Sequence, residues 1–171
     1  GRHLLIEAES KGTKVLWLAA TAGGPVRPLT AGGAQGESTF SANGRWVYFT
    51  RSQLTRPSEV YRIPAEGGPA VAVTHFNDAL ISQWQRTEPE SVTTKGAKGT
   101  PVQMWILKPP GFTAGRKYPL VFWVHGGPQG AFMDSWSYRW NAQLWAAQGY
   151  VVALPNPRGS TGFGQKFTDE I

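Results

Sequence analysis

The triplet Gly-Gly-Pro occurs at residues 23–25 and again at 67–69, and the flanking segments recur with it at an offset of 44. Leu29-Thr30 returns as Val73-Thr74, and Leu16-Trp17 as Val60-Tyr61. Gly1-Arg2, leading into Leu4-Leu5-Ile6, meets Gly44-Arg45, leading into Val47-Tyr48-Phe49, at an offset of 43. One inserted residue accounts for the difference. A period in the low forties, filled with short strands and tight turns, is the signature of a β-propeller blade. Ser41-Ala42-Asn43-Gly44 reads as a turn, because Asn-Gly tolerates positive φ. Trp46–Thr50 then reads as a strand with Val47 and Phe49 on one face, and Glu59–Ile63 as the next. Ala65–Gly68 is a second turn, and Ala70–Thr74 closes the unit. The same order fits Lys14–Ala19 and Val26–Thr30. Residues 1–80 are therefore expected to be the last blades of a propeller. Two blades cannot bury both faces of their sheets, so others are expected before Gly1.

The pattern changes after residue 80. Ile81–Arg86 reads as connecting chain, with 81–90 the linker between domains. Glu90–Lys95 and Val102–Leu107 read as a hairpin around Gly96-Ala97-Lys98-Gly99, stopped by Lys108-Pro109-Pro110-Gly111. Leu120–Val124 is a continuous apolar run, which predicts a central strand buried on both faces in a mostly parallel sheet. It stops at His125-Gly126-Gly127-Pro128, where two glycines leave backbone N–H groups uncovered and Pro128 sets the exit direction. The carboxyl edge of such a sheet is where α/β proteins bind ligands. Ser135–Gln148 reads as a helix with Trp136, Trp140 and Leu144 on one stripe and Ala147 beside it. Asp134 or Ser135 caps this helix, and Gly149 stands at its C′ position. Tyr150–Leu154 is a second buried strand, which makes strand, helix and strand a right-handed crossover unit. A loop with three glycines at 155–164 leads to a helix beginning at Gln165.

The segments PLVFWVHGGPQG and NPRGSTGFGQ, in this order and spacing, resemble the prolyl oligopeptidase family of serine peptidases, in its acylaminoacyl-peptidase and bacterial dipeptidyl-peptidase 5 branch. The resemblance covers both halves of the chain. It implies a β-propeller followed by an α/β-hydrolase domain, of which residues 91–171 are the N-terminal portion. It also implies an enzyme that cleaves short peptides through an acyl-enzyme, with dipeptidyl release the first reading. The alternatives are an acylaminoacyl-peptidase and a non-catalytic propeller with a degenerate hydrolase domain. In the family the loop after this strand supplies a backbone N–H to the oxyanion hole, which maps onto Gly126 and Gly127. His125 has two readings: a ring that shapes the turn, or a side chain that supports the oxyanion by donating a hydrogen bond.

The family's nucleophile lies in a G-x-S-x-G elbow. The nearest approach here, Gly159-Ser160-Thr161-Gly162, is one residue short, and Ser160 reads as a loop hydroxyl bonded to nearby backbone. The triad Ser, Asp and His are expected beyond Ile171, so this stretch is expected to be inactive alone and to need the remainder of its polypeptide. Arg158 reads as structural, and Trp136, Trp140 and Trp145 as core. His3 and His75 read as surface residues. Three scattered histidines and no cysteine argue against a metal site or disulfides, and no cofactor is expected. Absence of cysteine leaves the compartment, periplasm or cytoplasm, open. The net charge of +6 comes from dispersed residues rather than a stripe, which argues against nucleic acid as a partner. No run approaches the roughly 18 apolar residues of a membrane span.

Overall fold

A computed structural model describes residues 1–127 and 129–171. The role assigned to Pro128 lies outside the described residues. The first half is a seven-stranded sheet: β1 (His3–Ser10), β2 (Thr13–Ala20), β3 (Arg27–Pro28), β4 (Ala34–Phe40), β5 (Trp46–Gln53), β6 (Arg56–Pro64) and β7 (Val71–Ala72). The order is β1-β2-β4-β5-β6-β7, with β3 also paired to β2. The sequence repeat is a structural repeat. Leu16 O accepts the N–H of Leu29 at 2.8 Å, and Val60 O accepts that of Val73 at 2.7 Å. Leu16 N–H donates to Thr30 Oγ1 and Val60 N–H to Thr74 Oγ1, both at 2.9 Å. Gly23 N–H closes its turn on Ala20 O, and Gly67 N–H on Pro64 O. All four turn glycines have positive φ: Gly23 94°, Gly24 119°, Gly67 99° and Gly68 133°. Side chains carrying a Cβ avoid that region.

The two units pack through opposite faces. Leu16 of β2 meets Val47 and Phe49 of β5 and Tyr61 and Ile63 of β6 in one core, with Leu29 at its edge. Val60, the repeat partner of Leu16, lies on the other face of β6 and is only half-buried. β4 had no signal in the sequence, because AQGESTF is polar and glycine-bearing; its pairing with β5 shifts register between Gly36 and Thr39.

Glu59 of β6, in the second unit, is only 3% exposed. It accepts the N–H and side-chain amide of Asn77, both at 2.8 Å, and the hydroxyl of Thr74. Burial is the largest single influence and opposes its charge. The hydrogen bonds from Thr74, Asn77 and Phe76 together outweigh burial and hold the carboxyl below its ordinary value. A lowered folded-state value contributes stability above the unfolded carboxyl's range, lost as pH falls through the folded value. Glu59→Gln is expected to lower stability by about 1–3 kcal/mol at neutral pH. It should also flatten the acid limb of the melting temperature against pH; an unchanged acid limb would refute this.

After α1 (Asp78–Ile81) the chain enters a four-stranded sheet of β8 (Glu90–Lys95), β9 (Pro101–Leu107), β10 (Leu120–Phe122) and β11 (Val151–Asn156), in the order β10-β11-β9-β8. β10 and β11 are parallel and joined through α2 (Ala142–Ala147), while β9 runs antiparallel to β11. α3 (Gln165–Asp169) follows.

Two expectations are corrected, on the extent of the helix and on the tryptophan stripe. Among the described residues β10 lies at one end of the sheet, with one of its faces covered. Val121 and Trp123 pack on the core, while Leu120, Phe122 and Val124 are 59%, 55% and 72% exposed. The helix expected over Ser135–Gln148 is confined to Ala142–Ala147. Ser137 Oγ accepts the N–H groups of Arg139 (3.3 Å) and Trp140 (2.9 Å), a local turn that competes with helix, and Asn141 is the cap, accepting Gln143 N–H at 2.9 Å. Among the described residues the expected tryptophan stripe is consequently not buried. Trp140 and Leu144 are 61% and 64% exposed, and the buried helix positions are Ala142, Gln143 and Ala146. Trp145, 41% exposed, lies edge-on to Trp123 and Tyr150, and Trp136 stacks on Trp84. Gly149, with φ 92°, does occupy the C′ position.

Candidate active site

β10 and β11 run parallel, so both deliver their following loops to one edge of the sheet. Gly126 and Gly127 are exposed there. Among the described residues neither glycine's N–H has a protein acceptor. Gly127 has φ +139°, and a Cβ on it would lie 2.7 Å from Gln129 N, so the turn admits only glycine. Gly126 has ordinary φ and open space around it. A cavity of about 470 Å³ adjoins the loop, lined by Phe122, Trp123, Val124, His125, Gly126, Phe132 and Trp140. A second, of about 420 Å³, lies between residues 83–86 and α2 and includes neither glycine.

His125 and Ser160, distant in sequence, come together. His125 Nε2 is 2.9 Å from Ser160 Oγ, and its Nδ1 is 3.0 Å from Gly126 O. Ser160 is fully buried, and its hydroxyl also lies 2.6 Å from Pro157 O, to which it can donate. A neutral ring and one hydroxyl carry two protons for these three contacts; a protonated ring would supply all three. Both ring nitrogens are thus engaged within the loops, which favours the turn-shaping reading. The Ser160 contacts agree with a loop hydroxyl. Arg158 stands 4.0 Å from Glu170, a weak surface pair. His3 is exposed, and His75, also exposed, bonds Asp78 at 2.8 Å. No cluster of metal-ligating side chains occurs among the described residues.

Two residues to which the sequence reading gave no role in the site organise this edge. Asn156, fully buried at the end of β11, grips Phe132 at both backbone groups: its Oδ1 accepts Phe132 N–H at 2.7 Å and its Nδ2 donates to Phe132 O at 3.0 Å. Its amide also donates to Gln103 Oε1 at 2.6 Å. Asp134, the expected helix cap, instead accepts the N–H groups of Gly33 (3.0 Å) and Leu54 (2.8 Å), while its own N–H donates to Gly12 O at 2.7 Å. A polar residue ending a buried strand is the one signal that pointed to Asn156. Nothing local pointed to Asp134, because the partners of its carboxylate are 80 and 101 residues away.

A parallel strand–helix–strand unit defines an α/β protein, with Gly126 and Gly127 in the bare turn at the carboxyl edge of its parallel strands. The comparisons with known proteins narrow the class. Residues 136–171 match the model of the prolyl oligopeptidase family. Dipeptidyl-peptidase 5 of Trichophyton schoenleinii is 39% identical over 176 aligned residues, covering 100% of this chain and 24% of the relative. The acylaminoacyl peptidase of Pyrococcus horikoshii superposes with a TM-score of 0.80 at 26% identity, over 96% of this chain and 25% of that one. Dipeptidyl peptidase 4 of Porphyromonas gingivalis shares the fold, with a TM-score of 0.72 at 23% identity, over 96% of this chain and 24% of that one. The chain thus matches the prolyl oligopeptidase family at residues 136–171 and is similar to dipeptidyl-peptidase 5 along its whole length. It spans about a quarter of the length of the curated relatives it matches.

Proposed function

We propose that this chain is part of a serine exopeptidase that cleaves short peptides through an acyl-enzyme, and that its contribution is the oxyanion loop at Gly126-Gly127. Residues 1–80 are the last propeller blades, 81–90 the linker and 91–171 the start of an α/β-hydrolase domain. The observation that carries the reading is the pair of exposed glycines at the end of β10 whose N–H groups lack protein acceptors among the described residues. When a serine hydroxyl attacks a peptide carbonyl, negative charge develops on the carbonyl oxygen. A fixed N–H donor there is worth roughly 3–4 kcal/mol in the transition state. Water then releases the acyl group. The nucleophile, its base and the carboxylate lie outside these residues. His125 holds the turn rather than transferring a proton.

Dipeptidyl release is the first specificity, supported by the name of the relatives at 39% identity. Removal of N-blocked residues is the second, supported by the name of the solved structure with a TM-score of 0.80. Assay of the full-length protein decides. Dipeptidyl p-nitroanilides with a free amino terminus should be cleaved at least tenfold faster than N-acetylaminoacyl ones, and the reverse order would select the second reading. No turnover of either, with no serine labelled by a fluorophosphonate, would leave a binding module.

A further inference from the structure

The oxyanion loop does not end within its own sheet. Four residues after the last described loop glycine, Gly130, the chain reaches Asp134, which is 7% exposed and bonded to the repeat region. One carboxylate oxygen accepts Gly33 N–H and the other Leu54 N–H. Gly33 begins the approach to β4 and Leu54 forms the tip between β5 and β6. The Asp134 N–H reaches a third turn, at Gly12. Between Asp134 and the glycine turn the backbone is held at Phe132 by Asn156 and at Gly130, whose O accepts Thr161 N–H at 3.0 Å. Phe132 in turn lies edge-on to the His125 ring, with centroids 5.3 Å apart. The loop is therefore a short span tied at one end to its strand and at the other to three turns of the repeat sheet.

We propose that Asp134 is a positioning residue: it sets the oxyanion loop by clasping the loop's far end to the turns at Gly33 and Leu54. The proposal rests on the oxyanion reading for its effect on turnover, but the clasp itself does not. Only an anionic acceptor with two oxygens serves both N–H groups. In Asp134→Asn one oxygen becomes an NH₂ facing a donor, so one bond is lost and the clasp is pushed open. Displacement of a catalytic group by about 1 Å is enough to cost on the order of 100-fold in rate.

The experiment compares full-length wild type, Asp134→Asn and Gln143→Ala. Gln143 also bridges the two regions, donating to Leu54 O and Thr87 O, but does not touch the loop. Amide exchange in the wild type should be slow at Gly33 and Leu54. In Asp134→Asn it should speed at these two sites and also at Phe132 and Thr161. The kcat on a peptide p-nitroanilide should fall about 10- to 100-fold with KM within twofold. Gln143→Ala should lower the melting temperature and keep kcat within twofold. Fast exchange at Gly33 and Leu54 in the wild type overturns the proposal without any variant. So does an Asp134→Asn enzyme with unchanged Phe132 and Thr161 exchange, or an equal kcat loss in Gln143→Ala, which would mean general loosening. Faster loop exchange in a protein that has no peptidase activity would sustain the clasp and refute the enzymatic reading.

Discussion

If the loop is the proposed oxyanion donor, Gly127→Val in the full-length protein is expected to lower kcat by about two to three orders of magnitude while KM changes little. A donor to the oxyanion acts mainly in the transition state, so its displacement appears in turnover rather than in ground-state binding. The geometry explains why this position is sensitive. Its φ is +139°, and a Cβ would press on the backbone of Gln129 at 2.7 Å from N and 3.1 Å from C. A branched side chain forces the turn to move, and its N–H moves with it. Gly126→Ala is the companion, because position 126 has ordinary φ and nothing within 4 Å of an added Cβ. That variant keeps the turn and tests only whether a methyl group obstructs the carbonyl, so its loss should be the smaller. A melting curve near that of the parent excludes unfolding as the cause. A folded Gly127→Val enzyme that retains kcat, or loses only KM, would reduce the loop to a tight turn.

The second large effect is complete inactivity of the 171-residue chain by itself. No peptide p-nitroanilide should be hydrolysed and no serine labelled by a fluorophosphonate. The chain does contain a serine and a histidine in contact, Ser160 and His125, 2.9 Å apart. Such a pair is the core of an activated nucleophile only when a third group orients the base and solvent or substrate reaches the hydroxyl. The second condition fails, because Ser160 is fully buried beside Pro157 O, and the group that meets the other ring nitrogen of His125 is the neutral carbonyl of Gly126 rather than a carboxylate. In the full-length enzyme Ser160→Ala should leave serine labelling intact. Stoichiometric labelling of Ser160 in the isolated chain would overturn the assignment of the nucleophile to other residues.

What could be read from the sequence was local and periodic. Gly23-Gly24 and Gly67-Gly68 announced equivalent turns because their backbone angles are closed to residues with a Cβ, and the flanking threonines repeat the same bond to the strand. The glycine turn after β10 was legible for the same reason. Periodicity misled at residues 135–148. Trp136, Trp140 and Leu144 have helical spacing, but the Ser137 hydroxyl takes up N–H groups and the helix begins only at Ala142. Apolarity alone does not place β10: Leu120, Phe122 and Val124 are hydrophobic enough for a central strand, and the described residues, about a quarter of the length of the relatives, leave that face uncovered. The polar framework of the site was the least legible part. The side chains of Asn156 and Asp134 act through partners 24 to 101 residues away, and no local pattern encodes a bond at that distance.

Leu54 has a consequence for modularity. It belongs to the tip between β5 and β6, yet its side chain is buried with Trp105, Leu107, Val152 and Leu154 of the second sheet and Ala142 and Ala146 of α2. Emptying such a site costs about 2–5 kcal/mol, a large share of the 5–15 kcal/mol that typically stabilises a whole domain. Severing the chain at 81–90 would take this leucine out of the core it fills and leave its own side chain in water. The two regions are accordingly not interchangeable parts. A repeat unit grafted from a relative must bring the matching apolar tip, and calorimetry should record one cooperative transition instead of two.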